Sequence, residues 1–313
     1  MSAYSKIEVT APGSIMLMGE HAVLFGEPAL ACAVEARLTL TLVPRSDRRV
    51  LIDSALGQYS GSLDELSSMP ELAFVLAVIA GYQSQLQRGF ELSIRSGFSH
   101  TVGLGSSAAV TAATTAALAA YAGQSTDPET LFARALTAVH QVQHGRGSGT
   151  DLAASLYGGV IGYDMAPAQV RPLSGLPPIA LYFSGYKMKT PEVLSRVEQK
   201  AARQPELYAG LYRLMGQTSR AAEKAVNHQD WDGLGELMNL YQGLMDALGV
   251  CDATLAQMIY RLRAEPGVLG VKISGSGLGD CVLALGRVES ALPWESIPVS
   301  VAAKGVEIAY ESN

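Results

Sequence analysis

The sequence predicts an α+β fold built as two domains, and three observations support this prediction. A chain of 313 residues is long enough to bury two hydrophobic cores. Runs of strand-like segments with intervening helical segments occur in both halves. A stretch rich in proline, glycine and serine spans 174–185, and mainly helical patterns follow it. We therefore expect one domain at 1–174 and a second at 175–313.

The composition is typical of a globular protein, with 48% hydrophobic and 17% charged residues. The formal net charge is −6 and the lysines and arginines are dispersed, which argues against a nucleic-acid-binding surface. The three cysteines are widely spaced in apolar runs, as expected of reduced thiols in a core. No apolar run approaches the ~20 residues that span a bilayer, and the N-terminus lacks a signal-peptide core. We therefore expect a cytoplasmic protein with no membrane and no nucleic-acid partner.

Periodicity and turn residues predict the individual elements in order. In the first half, alternating residues predict strands at 6–10, 29–43, 49–53 and 90–97 and a hairpin at 159–173. Pro12-Gly13 is expected to end the first strand. Helices are expected at 71–86 and from Pro128, behind the cap Asp127, to Gly145. In the second half, helices are expected at about 190–203, 205–227, 230–248 and 252–264. Two strands then flank a glycine turn, and a last strand covers 305–311.

The most unusual segment is Gly103-Leu-Gly-Ser-Ser-Ala108, a turn that runs into a helix made almost only of Ala, Thr and Ser. A helix N-terminus offers unpaired N–H groups and a partial positive charge, and glycine lets the backbone wrap closely round an anion. The hydroxyls of Ser106 and Ser107 are also suited to Mg²⁺. Small side chains let the helix lie deep against a sheet, which would fix its N-terminus. These features predict a phosphate site that has no lysine of its own.

Other interpretations of this segment remain. Its letters fit the dinucleotide motif G-x-G-x-x-A, but it is not joined directly to a strand, and a capped helix follows where that motif needs a strand ending in an acid. A standard P-loop is excluded, because no Gly-Lys-Ser/Thr follows. A tight turn before a core helix is the purely structural alternative.

Three further stretches place polar residues beside glycines. A Gly-Ser-Gly turn puts Asp151 at the start of another small-residue helix, where it is either an N-cap or a carboxylate that orients an attacking hydroxyl. A bulged hairpin explains one or two glycines, but Gly275, Gly277 and Gly279 within five residues indicate that a ligand packs on this backbone, either a nucleotide phosphate or one edge of the substrate. The pair Glu20-His21 follows an apolar strand and is able to bind a hydroxyl or a carboxylate.

Together and in this order, "APGSIMLMGEH", "GLGSSAA" and "SGSGLG" resemble the three motifs of the GHMP kinase family, named for galacto-, homoserine, mevalonate and phosphomevalonate kinases. Within the family, "GEHAVLFGEPAL" is most similar to mevalonate kinases, and "GSGTDLAASLYGG" is also similar to phosphomevalonate kinases. The resemblance implies a two-domain GHMP kinase fold, with an N-terminal domain like the second domain of ribosomal protein S5 and a ferredoxin-like C-terminal domain. ATP and substrate would meet in the cleft between the two.

The resemblance also implies roles for individual residues. Asp151 matches the catalytic aspartate of the family. The ATP phosphates would contact Gly103, Leu104, Gly105, Ser106, Ser107 and Ala108, with Mg²⁺ at Ser106 or Ser107. Substrate contacts would come from Glu20, His21 and Thr190. We also expect substrate contacts at Ser14, which takes the place of the usual lysine, and at Gly275, Ser276 and Gly277 of the glycine turn.

Two positions depart from the family pattern. Mevalonate kinases usually carry a lysine directly after "APG", which polarises the attacking hydroxyl, and this chain has Ser14. A glutamate is usual eleven residues before the aspartate, where it reaches Mg²⁺, and this chain has His140, a poor ligand for that cation. We expect Lys187 or Lys189, which flank the substrate segment, to supply the missing positive charge and act in catalysis.

His140 and His144 have the i,i+4 spacing of zinc ligands on a helix, but the glutamate of H-E-x-x-H and a third ligand are not evident. One polar helix face near the cleft is therefore the preferred interpretation.

The sequence thus predicts ATP-dependent phosphorylation of a small hydroxylated acid, in particular of mevalonate to 5-phosphomevalonate. The alternatives are a phosphomevalonate kinase, another GHMP small-molecule kinase, and a catalytically silent nucleotide-binding protein. ATP and Mg²⁺ are the expected cofactors. The apolar faces within 205–264 are expected to form either a homodimer interface or the second core.

Overall fold

The computed structural model describes residues 4–98 and 103–312 and builds them into two β-sheets and eight α-helices, which is the predicted α+β class. The strands are β1 (Tyr4–Met18), β2 (Ala29–Pro44), β3 (Arg49–Ser54), β4 (Gly57–Ser62), β5 (Phe90–Ser96), β6 (Val160–Met165), β7 (Ala168–Leu173), β8 (Ile179–Lys187), β9 (Val268–Ser274), β10 (Gly279–Gly286), β11 (Glu295–Ile297) and β12 (Glu307–Ser312). The helices are α1 (Ala73–Tyr82), α2 (Ser106–Tyr121), α3 (Pro128–Val142), α4 (Thr150–Tyr157), α5 (Thr190–Ala201), α6 (Pro205–His228), α7 (Trp231–Leu248) and α8 (Ala253–Arg263).

The first sheet has eight strands, in the order β12-β1-β2-β5-β3-β4, with β6 paired to β2 and β7 to β6. The long strands β1 and β2 are antiparallel partners from Ile7 opposite Leu42 to Met18 opposite Leu30. The expectation that β1 ends at Pro12-Gly13 was wrong, because a register shift between these two residues absorbs the proline. The continuation of β1 carries the chain from the first core to the candidate site.

Helix α2 lies at the centre of the first core, packed against β1, β2 and the helices α1, α3 and α4. From Ala108 to Ala120 its residues are buried except Val110. Buried threonines satisfy their hydroxyls within the helix, since Thr111 donates to the carbonyl oxygen of Ser107 over 2.6 Å and Thr115 to that of Thr111 over 2.8 Å. Small, internally satisfied side chains let this helix contact a sheet and three helices at once.

The second body contains a four-stranded antiparallel sheet in the order β11-β8-β10-β9. Numbered along the chain this order is 4-1-3-2, the arrangement of a ferredoxin-like domain. Helices α7 and α8 pack on β9, and the apolar faces of α6 to α8 bury Met215, Met245 and Met258 in a second core. That core also takes in residues from the site end of β1 and β2, such as Ile15 and Cys32, so the two bodies share a continuous apolar interface.

The chain returns to the first sheet after β11. The amide of Ala302 donates to the carbonyl oxygen of Ala33 over 2.9 Å, and β12 then pairs with β1 along an antiparallel register. The boundary expected at 174/175 falls between β7 and β8 and stays a prediction; β12, expected in the second domain, lies in the first sheet. No helix among the described residues combines the length and apolarity that crossing a bilayer requires.

The packing of α2 generates a first prediction. Ala116 is fully buried, so Ala116→Leu should lower the free energy of unfolding by about 1–3 kcal/mol, because the added carbons have no space to occupy. Ala133 on the exposed side of α3 gives the matched control, and Ala133→Leu should change stability little. Denaturant unfolding measures both variants. Equal stabilities would contradict the close packing of α2.

Candidate active site

A cavity of about 420 Å³ brings together segments that are far apart in the sequence. Its wall contains Glu20 after β1, Ser106 at the start of α2, Asp151 at the start of α4, Thr190 at the start of α5 and Ser276 in the turn between β9 and β10. The three glycine-rich motifs and the Glu20-His21 pair therefore meet at one place between the two bodies.

The loop at 103–105 before α2, called the phosphate loop after the site that the sequence predicts there, has a backbone conformation that requires glycine. Gly105 has a φ of +63°, and a Cβ atom built there would lie 2.0 Å from the Oγ of Ser14. Gly105, Ser106, Ser107 and Ala108 line the cavity, and no side chain of the described residues caps α2. The unpaired N–H groups and the positive end of the helix dipole are therefore available at the cavity.

The side chain of Asp151 is fixed by Ser14, the residue at the position of the usual lysine. Ser14 is 1% exposed, and its hydroxyl donates to Oδ1 of Asp151 over 2.9 Å. Its amide donates to the carbonyl oxygen of Leu104 over 3.0 Å, which ties β1 to the phosphate loop. Burial raises the pKa of Asp151 above its usual range, while the hydrogen bond from Ser14 and the charge of Lys187 oppose that rise. The N-cap residue of α4 is Gly149, so the Asp151 carboxylate is held by Ser14 and does not cap the helix.

Lys187 places a positive charge at the cavity wall, where it forms an ion pair with Asp280. Lys187 is the last residue of β8 and pairs with Gly279 on β10, so its ammonium Nζ lies 2.7 Å from Oδ2 of the neighbouring Asp280. The other carboxylate oxygen, Oδ1, accepts from the amide of Gly103 over 3.1 Å. Asp280 therefore joins the second body to the start of the phosphate loop.

Glu20 and His21 form a buried polar corner of the cavity. Glu20 is 4% exposed and forms an ion pair with Lys272 through Oε1, while its Oε2 has no protein partner. His21 has a positive φ of 61° and shares a hydrogen bond of 2.8 Å between Nε2 and the carbonyl oxygen of Ser276, which leaves Nδ1 buried without a partner. Burial lowers the pKa of His21, so its ring is neutral at neutral pH.

His140 organises the loop that precedes Asp151. Its Nε2 lies 3.0 Å from the carbonyl oxygen of Gly147, and Arg146, Gly147 and Ser148 of this loop line the cavity. The hydroxyl of Tyr163 holds the same loop by donating to the carbonyl oxygen of Ser148 over 2.6 Å. The histidine at the usual glutamate position therefore supports the Asp151 loop.

Most of the residues predicted to act in catalysis or to bind ATP or substrate line the cavity, and four of them do not. Ser14 and Leu104 lie buried directly behind the phosphate loop, where Ser14 contacts Asp151. Lys189 is exposed at the start of α5, so the structure brings Lys187 and not Lys189 to the cavity. Gly277 packs against the backbone of Val250, away from the cavity wall.

Sequence reasoning missed Asp280, and it did not predict that Lys272 pairs with Glu20. Asp280 follows the third glycine motif directly, and its φ of +67° is unusual for a residue other than glycine. The sequence signal for Asp280 was a charged residue placed directly after the last glycine of the third motif. Lys272 gave a weaker signal, a lysine between the apolar Val271 and Ile273 in a predicted strand.

Comparison with known proteins supports the family suggested by the motifs. Residues 73–159 match the family model "GHMP kinases N terminal domain" and residues 222–292 match "GHMP kinases C terminal". A mevalonate kinase of Aeropyrum pernix is 32% identical over 296 residues, which are 90% of this chain and 90% of that protein.

Two solved structures share the fold. The L. major mevalonate kinase in complex with R-mevalonate superimposes with a TM-score of 0.77 at 21% identity, covering 97% of this chain and 99% of that one. The Streptococcus pneumoniae phosphomevalonate kinase with phosphomevalonate and AMPPNP gives a TM-score of 0.72 at 18% identity, covering 93% and 99%. The chain therefore belongs to the GHMP kinase family of ATP-dependent small-molecule kinases.

Proposed function

We propose that this chain transfers the γ-phosphoryl group of ATP to a hydroxyl of a small hydroxylated acid, with mevalonate as acceptor and 5-phosphomevalonate as product. The observation that carries the proposal is the arrangement of Ser14, Asp151 and Lys187 at the N-terminus of α2 around one cavity. The similarity to mevalonate kinases over 90% of the chain supports the choice of acceptor.

The phosphate loop is the proposed site of the ATP β- and γ-phosphates. Backbone N–H groups at Gly105 to Ser107 and the dipole of α2 stabilise the charge that develops on the transferred group. The hydroxyls of Ser106 and Ser107 at the cavity wall are oxygen donors of the kind Mg²⁺ takes, whereas the ring of His140 is directed at Gly147. Bound there, Mg²⁺ neutralises phosphate charge.

Asp151 is the proposed proton acceptor. The acceptor hydroxyl approaches Asp151, and its oxygen forms a bond to the γ-phosphorus while the bond from that phosphorus to the bridging β–γ oxygen breaks. The hydroxyl proton passes to Asp151, and ADP leaves with the bridging oxygen. Ser14 keeps the carboxylate oriented through the 2.9 Å hydrogen bond, which makes positioning the main task of this pair.

Lys187 is proposed to supply the positive charge of the lysine that is usual at the position of Ser14. Its side chain is 36% exposed and flexible enough to leave Asp280 for a phosphate oxygen. The buried, unpartnered Oε2 of Glu20 and Nδ1 of His21 are proposed to receive polar groups of the acceptor, beside Thr190, Gly275 and Ser276.

A phosphomevalonate kinase is the second candidate, and one observation favours it. Arg146 and Lys187 both line the cavity and are able to neutralise a phosphate already present on the substrate. The solved phosphomevalonate kinase has the same fold, which by itself does not decide between the two acceptors.

A coupled ADP-release assay with mevalonate, 5-phosphomevalonate, homoserine and galactose tests the proposed function. We expect the highest kcat/KM with mevalonate, and Asp151→Asn should bind both substrates while kcat falls by about 10²–10⁴-fold. Preference for 5-phosphomevalonate would establish the second candidate. ATP binding without turnover of any acceptor would indicate a catalytically silent nucleotide-binding protein.

Removal of the Ser14 hydroxyl should change the pH dependence of the reaction. The hydrogen bond from Ser14 lowers the pKa of Asp151, so Ser14→Ala should raise that pKa and move the acidic limb of kcat/KM to higher pH. Loss of activity should therefore be larger at acidic than at alkaline pH. A pH–rate profile of both enzymes measures the shift, and superimposable profiles would show that Asp151 is not the titrating group.

The two lysines offer a matched pair of variants. Lys187→Ala should lower kcat by about 10²-fold, because a charge at the transferred phosphoryl group is lost. Lys189→Ala, two residues away and outside the cavity wall, should keep kcat close to that of the wild type. Two variants with wild-type kcat would remove Lys187 from the proposed mechanism.

A further inference from the structure

Lys272 is a fully buried lysine whose charge the proposed phosphoryl transfer does not use. It lies in the middle of β9, with 0% of its side chain exposed, between the apolar Val271 and Ile273. Its ammonium group donates to Oε1 of Glu20 and to the carbonyl oxygen of Ile273, and it lies 5.4 Å from the ring centre of Tyr241. Of these partners only Glu20 carries a full negative charge, so Glu20 is the counter-charge of Lys272.

The same part of the second body also holds the backbone at Glu20. The hydroxyl of Tyr241 on α7 accepts from the amide of Gly19 over 2.8 Å and donates to the carbonyl oxygen of Glu20 over 3.2 Å. The side chain and the main chain of Glu20 are therefore both positioned by residues of the second body. This arrangement leaves one carboxylate oxygen, Oε2, buried at the cavity without a protein hydrogen bond of normal geometry, although the backbone amide of Gly275 acts on the same carboxylate and lowers its pKa.

An unpartnered acceptor on an ionised group needs a hydrogen-bond donor from the ligand. A substrate carboxylate would be repelled by it, whereas a substrate hydroxyl would be bound. We infer that Lys272 is a positioning residue that keeps Glu20 ionised, with Oε2 directed at a hydroxyl group of the acceptor substrate; the inference rests on the proposed function.

The electrostatics of the pair give this inference a distinct signature. The ionisable side chains that face Glu20 are Lys272 from β9 and Tyr241 from α7, and His21 follows it in the chain. Burial raises the pKa of Glu20 and lowers the pKa of Lys272, and the charge of each residue opposes the shift of the other. The backbone amides of Glu20 and Gly275 also lower the pKa of Glu20. Tyr241 is neutral because burial raises its pKa, and His21 is neutral because burial lowers its pKa. Removing Lys272 therefore leaves Glu20 without its only facing positive charge among the described residues.

Lys272→Met tests the inference through two quantities that respond oppositely to pH. Without the charge of Lys272 the pKa of Glu20 rises further, so at the acidic end of the pH range a larger fraction of Glu20 is protonated than in the wild type, and the KM for the acceptor should rise by about tenfold. As the pH rises, Glu20 ionises and the KM should fall back towards the wild-type value. Ionising a buried carboxylate without a partner destabilises the fold, so the deficit in Tm should grow over the same pH range. The KM for ATP should change by less than about twofold, because Lys272 does not line the cavity.

The double variant Lys272→Met/Glu20→Gln separates positioning from packing. It leaves no charge at this pair, so its deficit in Tm should vary with pH much less than that of Lys272→Met, while its KM for the acceptor should stay high at every pH. Tyr241→Phe is the matched control: it loosens the same backbone without changing the charge at Glu20, and its KM should not depend on pH.

Each outcome decides the matter. A wild-type KM in Lys272→Met, or recovery of both Tm and KM in the double variant, would show that Lys272 serves packing alone. A deficit in Tm that does not vary with pH in Lys272→Met would overturn the charge pairing. If the wild type phosphorylated none of the acceptors in the ADP-release assay, the proposed function itself would be contradicted. That result is distinct from the outcomes above, which are measured by Tm and by the KM of the variants.

Discussion

The close approach of β1 to the loop before α2 is the constraint on which the site depends. A Cβ atom at Gly13 would lie 2.7 Å from the carbonyl oxygen of Leu104, so these backbones touch without intervening side chains. Ser14, the next residue, bonds to the loop through its amide and to Asp151 through its hydroxyl. One short side chain therefore sets the distance between the helix N-terminus and the carboxylate, and a positive charge has to come from another element.

Charged groups around the cavity link the two bodies through one ion pair and one hydrogen bond to the backbone. Glu20 from the first body meets Lys272 from the second, and Asp280 from the second meets the amide of Gly103 from the first as well as Lys187. Desolvation of such groups is costly unless each has its partner, so correct docking of the bodies and correct ionisation of the site are coupled. The geometry of the cavity is therefore set partly by electrostatics and not by apolar contact alone.

Local sequence signals predicted most elements, because they rest on short-range physics. Caps, turns and periodicity located α3 to α8 to within a few residues, and the small side chains of α2 indicated a helix packed closely on all sides. The convergence of the glycine motifs followed from resemblance to a family rather than from local pattern. The sequence predicts too short a first strand, because proline usually ends a strand. The bulge that accommodates Pro12 depends on the partner strand β2, which local sequence does not reveal.

The remaining features of the site depend on contacts between distant residues. Lys272 meets Glu20 across 252 positions in the chain, and no local signal encodes such a pair. Lys187 and Lys189 are equivalent in sequence terms, and only the pairing of β8 with β10 directs the first of them to Asp280. The catalytic assignments of the lysines, serines and glycines stay predictions that the proposed variants address.

The return of β12 to the edge of β1 makes the second body an insertion within the first. Two covalent crossings, one after β7 and one before β12, then join the bodies on either side of β8 to β11. A body attached by a single tether can swivel freely, whereas one attached at two points is restricted to rotation about the line between them. Here the shared apolar core and the buried Glu20–Lys272 pair also oppose that rotation, so the two crossings and the interface together fix the walls of the cavity relative to each other.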